Sequence, residues 1–170
     1  MTPASAPPVH PLATPLATDP DPSLTGGRRG GVLVCHGFTG QPASVKPWAQ
    51  ELAERGYAVE VPRLPGHGTT WQDLNGYRWE AWYAEVRAAH RRLLERCDVV
   101  VLAGLSMGGA LVLRLAADVE SSGQVAGVVV VNPAVAPKRL AVKLLPVLQH
   151  VVTSVPGIPA AIKKPGVTEH

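Results

Sequence analysis

No apolar run in the 170 residues reaches the ~18 positions that a membrane-spanning helix requires, so stable insertion into a bilayer is not expected. Cysteine is scarce as well. Cys35 and Cys97 are too few for a disulfide framework and read as buried thiols of a cytoplasmic protein. Charge of one sign is also missing, since 16 basic residues face 13 acidic ones for a net +3. Arg87, Arg91, Arg92 and Arg96 fall along one helical stretch as a solvated face would, which leaves no positive sign of nucleic-acid binding. The first 29 residues have neither a basic start nor a continuous apolar core, so they do not read as a secretory signal.

What remains is a chain with 46% apolar residues, enough to bury the core of one domain. Residues 1–29 are rich in proline and small residues without apolar periodicity, and are expected to form a disordered or loosely docked arm. Residues 30–136 carry the core. Val45, Ala49, Leu52 and Ala53 recur at helical spacing over 44–55, with Gly56 as the stop. Trp79, Trp82, Tyr83, Val86, Leu93 and Leu94 repeat that pattern over 78–96. Between the helices lie short apolar strands at 31–35, 58–61, 99–103 and 125–131, the last expected to be fully buried, and a further helix is predicted from Met107 to about Asp118. Strands that are apolar throughout and alternate with helices indicate an α/β fold, a mostly parallel sheet covered on both faces.

One motif carries chemistry. Gly104, Leu105, Ser106, Met107 and Gly108 form G-x-S-x-G between a strand and a helix. A serine hydroxyl is a poor nucleophile until geometry and a base activate it, and a sharp strand-to-helix turn lifts it clear of its own backbone. Glycines are needed on either side because a side chain would collide where strand and helix crowd together. The first amides of the helix, starting with Met107, would point at whatever the serine attacks. A glycine-rich turn that merely packs a helix on a sheet is the plainer alternative. A phosphate-binding loop fits poorly, because GLSMGGAL lacks the Lys-Ser/Thr pair that holds phosphate and magnesium.

With HGFTG at 36–40 and LPGHG at 64–68 added to GLSMGG at 104–109, the chain resembles the α/β-hydrolase superfamily, and within it the bacterial carboxylesterases and monoacylglycerol lipases. The resemblance implies the α/β-hydrolase fold and ester hydrolysis without a cofactor or metal, on a short or medium acyl ester or a monoacylglycerol. Ser106 would be the nucleophile, and the backbone amides of Phe38 and Met107 the oxyanion hole. Such donors act because negative charge grows on the carbonyl oxygen only as the tetrahedral intermediate forms. The Phe38 ring would wall the acyl pocket or serve as an ordinary core aromatic. His36 and His67 would shape the site as structural histidines. Residues 137–170 would begin a cap over the site or form a surface helix joining two strands.

The same resemblance exposes a shortfall. The fold places a carboxylate and a histidine after the serine. After Ser106 the chain holds one aspartate, Asp118, two glutamates, Glu120 and Glu169, and two histidines, His150 and His170. Asp118 and Glu120 fall at the far end of the helix from Ser106, and Asn132, after the last predicted strand, cannot carry the negative charge. The triad acid and base are therefore expected to be absent, as are the last strands of the fold. The open edge at 125–131 is expected to invite self-association. A non-catalytic fragment, or an acyl-ligand-binding pseudoenzyme, is the alternative to an active hydrolase.

Overall fold

The structure is a computed structural model and describes residues 7–119 and 123–135. Five strands, β1 (Leu16–Thr18), β2 (Gly30–Cys35), β3 (Ala58–Val61), β4 (Val99–Leu105) and β5 (Val125–Val131), form one sheet in the order β1-β3-β2-β4-β5. β1 runs antiparallel to β3, and every other pair is parallel. Among the described residues four α-helices accompany them: α1 (Lys46–Glu54), α2 (Trp71–Asn75), α3 (Trp79–Leu94) and α4 (Met107–Val119).

Alternation along the strands feeds two apolar layers. Leu33 and Cys35 of β2, with Val100 and Leu102 of β4, pack under α3 and α4 against Val86, Leu93, Val112 and Leu115. Val32 and Val34, with Ala103, face the other way onto Val45 and Ala49 at the start of α1. Both faces of β2 are buried, which is why its sequence is apolar without interruption. Each fully buried leucine, such as Leu33, Leu93 or Leu102, contributes about 2 kcal/mol of transfer free energy. The predicted strands and the three long helices are all present, with ends shifted by a few residues. Short α2 has a signal that the periodicity did not show: the Thr70 hydroxyl accepts the Asp73 amide at 3.2 Å, a side-chain cap.

Three expectations are corrected. Within the described part of the arm expected over 1–29, the segment from His10 to β1 is docked rather than loose. The His10 amide donates to the Gly68 carbonyl at 2.7 Å, Ala13 is fully buried, and β1 adds to the edge of β3. The Thr18 hydroxyl also accepts the Val59 amide at 2.9 Å. These anchors lie far along the chain, so local composition could not show them. Residues 125–131 are not fully buried. Val128, Val129 and Val131 stand 37%, 46% and 43% exposed, because β5 is the last strand of the sheet among the described residues. The helix face carrying the arginines is not simply solvated either.

Arg92 and Arg96 reach back to Glu60, a carboxylate on β3 that is only 4% exposed. Arg92 Nε donates to it at 3.1 Å and Arg96 Nη2 at 2.8 Å. A buried carboxylate persists only when paired, and these two part-buried guanidinium groups supply its partners. Glu60→Gln keeps the shape and removes the charge. We expect it to lower unfolding stability by about 2 kcal/mol, read as a shift of the urea midpoint at unchanged slope.

Among the described residues no helix is long and apolar enough to cross a membrane. The expected cap over 137–170 lies outside the described residues, as do Glu120, His150, Glu169 and His170.

Candidate active site

Ser106 sits between the end of β4 and the first residue of α4 with φ +55°, in the left-handed region that a non-glycine residue seldom adopts. Such a conformation costs roughly 1–3 kcal/mol and persists only where neighbours hold it. Here the Ser106 amide donates to the Val131 carbonyl at 2.9 Å, and the Ser106 carbonyl accepts from Ala110 at 3.2 Å and Ala134 at 3.1 Å. The turn is thus tied to its own helix and to the end of β5.

The two flanking glycines are compulsory for steric reasons. A Cβ at Gly104 would lie 2.5 Å from the Gly108 carbonyl oxygen. One at Gly108 would lie 2.3 Å from the Cys35 oxygen and 2.5 Å from the His36 oxygen. These are backbone atoms at the centre of the sheet, with no freedom to swing away. The glycines therefore let α4 press against the end of β2, and that contact carries the loop after β2 onto the serine. A Cβ at Gly37 would meet Ser106 Cβ at 3.2 Å and Oγ at 3.8 Å. The structure thus brings the HGFTG loop and Ser106 together, with Met107 opening α4 on the other side. Neither the Phe38 nor the Met107 amide donates to another backbone carbonyl among the described residues.

His36 is fully buried and both of its nitrogens are engaged. Nε2 accepts the Leu64 amide at 3.4 Å, which places the proton on Nδ1, and Nδ1 donates to the Gly37 carbonyl at 2.9 Å. Burial pulls its pKa down to about 4, so the ring is neutral and acts as a brace between two loops. His67 is 2% exposed and its pKa is likewise lowered by burial. Its Nδ1 donates to the Pro65 carbonyl at 3.2 Å, while Nε2 is buried without a hydrogen-bond partner among the described residues. Neither histidine is hydrogen-bonded to Ser106 or to a carboxylate among the described residues.

The LPGHG loop backs the HGFTG loop through aromatic edges. His67 meets His36, Phe38 and Trp82 at centroid separations of 4.9, 6.1 and 5.5 Å, all close to perpendicular. Trp82 Nε1 also donates to the Pro65 carbonyl at 2.9 Å. Periodicity marks Trp82 only as part of the apolar stripe of α3, and nothing local shows that its indole nitrogen would hold this loop. Phe38 is 48% exposed, so it is not a core aromatic. Its ring, with Trp71, Leu74, His67 and neighbouring threonines, lines a cavity of about 250 Å³.

Asp118 lies about 18 Å from the serine along the direction of α4. It is already occupied, accepting hydrogen bonds from the Tyr83 hydroxyl and, at 3.1 Å, from Arg114. Asn132 follows β5 with φ +45° and is exposed.

Residues 32–167 match the alpha/beta hydrolase family. The chain belongs to this family. Over 105 residues it is 44% identical to a thermostable monoacylglycerol lipase of Bacillus sp. (strain H-257), covering 62% of this chain and 41% of the lipase. It is 35% identical over 105 residues to a carboxylesterase of Bacillus subtilis (strain 168), covering 61% of this chain and 43% of that enzyme. Among solved structures, one from work on LipS and LipT, two metagenome-derived lipolytic enzymes, superposes with a TM-score of 0.73 at 40% identity. That match covers 81% of this chain and 53% of the other. The chain thus spans about half the length of the relatives it matches.

Proposed function

We propose that this hydrolase chain is the nucleophile-bearing part of a carboxylic ester hydrolase for short or medium acyl esters or monoacylglycerols. The observation that carries the reading is the strained turn at Ser106 with Gly37 packed directly on it. In that arrangement Ser106 Oγ attacks the ester carbonyl and the alcohol leaves. The acyl-serine is then released by water. The amides of Phe38 and Met107 receive the carbonyl oxygen as it becomes negative, a pair worth about 3 kcal/mol per donor in the transition state. They are backbone groups, so side-chain replacement at Phe38 or Met107 leaves the donors in place. The half-exposed Phe38 ring walls the cavity beside them and suits an apolar acyl chain. The relatives named as a monoacylglycerol lipase and a carboxylesterase support the substrate class. Two buried free cysteines support a cytoplasmic setting.

A second reading is a chain that binds acyl ligands without turning them over. The capture of Asp118 by Tyr83 and Arg114 favours it, as does the engagement of both His36 nitrogens, because neither group is available to serve Ser106. One measurement separates the two. The folded polypeptide is incubated with a fluorophosphonate probe and with a chromogenic short-chain ester, with Ser106→Ala as control. Labelling confined to Ser106, with ester cleavage that the alanine variant lacks, is the outcome expected of the enzyme. A folded chain that does neither leaves only the binding reading.

A further inference from the structure

The cavity of about 250 Å³ beside Phe38 is lined by three segments: the HGFTG loop, the LPGHG loop, and α2 with Trp71 and Leu74. Gly37 abuts Ser106, and Phe38, the next residue, lines the cavity. One step along the chain therefore leads from the serine to this space.

The polar side chains around it are already spent. The Thr69 hydroxyl lies 2.7 Å from the Gly66 carbonyl and 2.6 Å from the Asp73 carboxylate, and the Thr70 hydroxyl takes the Asp73 amide. His67 Nδ1 is held by the Pro65 carbonyl, and Nε2 is buried out of reach. What they leave for a ligand is carbon, namely the Phe38 and Trp71 rings and the Leu74 side chain. Such a lining suits a hydrocarbon chain and penalises a hydroxyl-bearing alcohol, which would lose water there without a partner.

The wall formed by α2 cannot retreat. Gly66 has φ +76°, and a Cβ there would lie 2.7 Å from Leu74 Cα and 2.7 Å from Tyr77 Cδ2, so the LPGHG loop and α2 meet without a gap. The Leu74 amide donates to the Thr70 carbonyl at 3.0 Å, and Leu74 packs against the core layer shared by α3 and α4. At ~30 Å³ for a water-sized group, the cavity holds about eight methylene-sized groups.

We infer that Leu74 sets the chain-length limit of the site: the acyl chain of a bound ester runs past Phe38 into this cavity and stops against Leu74 at about eight carbons. The identity of the ligand rests on the ester-hydrolase reading. The limit itself is a property of binding and is tested without turnover.

The Ser106→Ala chain, which cannot form an acyl-enzyme, is titrated by calorimetry with methyl esters of straight-chain acids from butanoate to dodecanoate. Affinity is expected to rise about fourfold for each methylene buried and to level off near octanoate. On the same background Leu74→Ala should move the plateau about two to three carbons longer, because it empties that much of the wall. Leu74→Phe, with a bulkier side chain at the same place, should bring the plateau to shorter chains. Absence of binding at every length overturns the inference, as does a rise to dodecanoate without levelling or a plateau that stays put in both variants. Circular dichroism checks that each variant is folded. If Leu74→Ala is not, the wild-type plateau and Leu74→Phe decide. A Ser106 inert to the fluorophosphonate probe, with a plateau that follows Leu74, defeats the hydrolase reading and upholds the length limit. Ester cleavage whose chain-length preference ignores Leu74 does the reverse.

Discussion

Gly108→Ala is expected to lose much of the stability of the folded state, although it adds a single methyl group. That carbon would sit 2.3 Å from the Cys35 oxygen and 2.5 Å from the His36 oxygen, well inside contact distance. Relief would require α4 to back away from the end of β2. β2 is held by β3 on one side and β4 on the other, and α4 is anchored through the buried residues Leu111, Val112 and Leu115. Overpacking of a core typically costs about 1–3 kcal/mol, and a clash with two fixed carbonyls belongs above that range, at about 4 kcal/mol or more. Domains of this size commonly hold only about 5–15 kcal/mol in reserve. Urea unfolding followed by circular dichroism gives the answer, with Gly127→Ala as the matched control. A Cβ at Gly127 meets nothing within 4 Å, so that variant should stay within about 0.5 kcal/mol of the parent. Equal stability of the two variants would remove the steric account of the turn.

Stability should fall steeply with acid in a window that His36 defines. Burial holds its pKa at about 4, against an ordinary value of 6.5 in the unfolded chain. Between those values the unfolded chain binds a proton that the folded chain refuses, so unfolding is favoured progressively as pH falls from about 6.5 toward 4. Above the window His36 is neutral in both states and contributes no pH dependence. Below it both states are protonated and the loss is complete. The total is on the order of 3 kcal/mol. His67, also lowered by burial, adds in the same direction. Urea midpoints at closely spaced pH values test this, with His36→Asn as comparison. Asn offers a donor and an acceptor but no proton to gain, so its profile should be flatter across the window. A slope identical to the wild type would assign the acid sensitivity elsewhere.

Both predictions concern the same joint, where the end of β2, the start of α4 and the LPGHG loop meet. His36 is neutral because it is buried, and its two nitrogens bond Leu64 and Gly37. Those bonds keep the loop after β2 in register with the turn at Ser106. Acid and the Gly108 methyl group would therefore disturb the candidate oxyanion loop before they disturbed the outer sheet.

Much of this was legible in the chain itself. Unbroken apolar stretches such as GVLVC are diagnostic because a central parallel strand must bury both faces, so no polar residue is tolerated on either. GLSMGG is diagnostic for a similar reason, since a tight strand-to-helix turn leaves no space for side chains at positions 104 and 108. Helix spacing in α1 and α3 follows from one face meeting the sheet. Each of these is a local constraint, and local constraints are written in consecutive residues.

What lay beyond reading depends on partners distant along the chain. A proline-rich segment is docked because His10 finds Gly68 and β1 finds β3. Arg92 and Arg96 sit in a helix pattern that reads as solvated, yet a glutamate more than thirty residues earlier claims both. Composition and spacing determined that this is a parallel α/β sheet with a serine presented at a turn. Only the tertiary structure decided what braces that serine. The physical reason is that burial and hydrogen bonding are settled by which segments meet, and no segment carries the address of its partner.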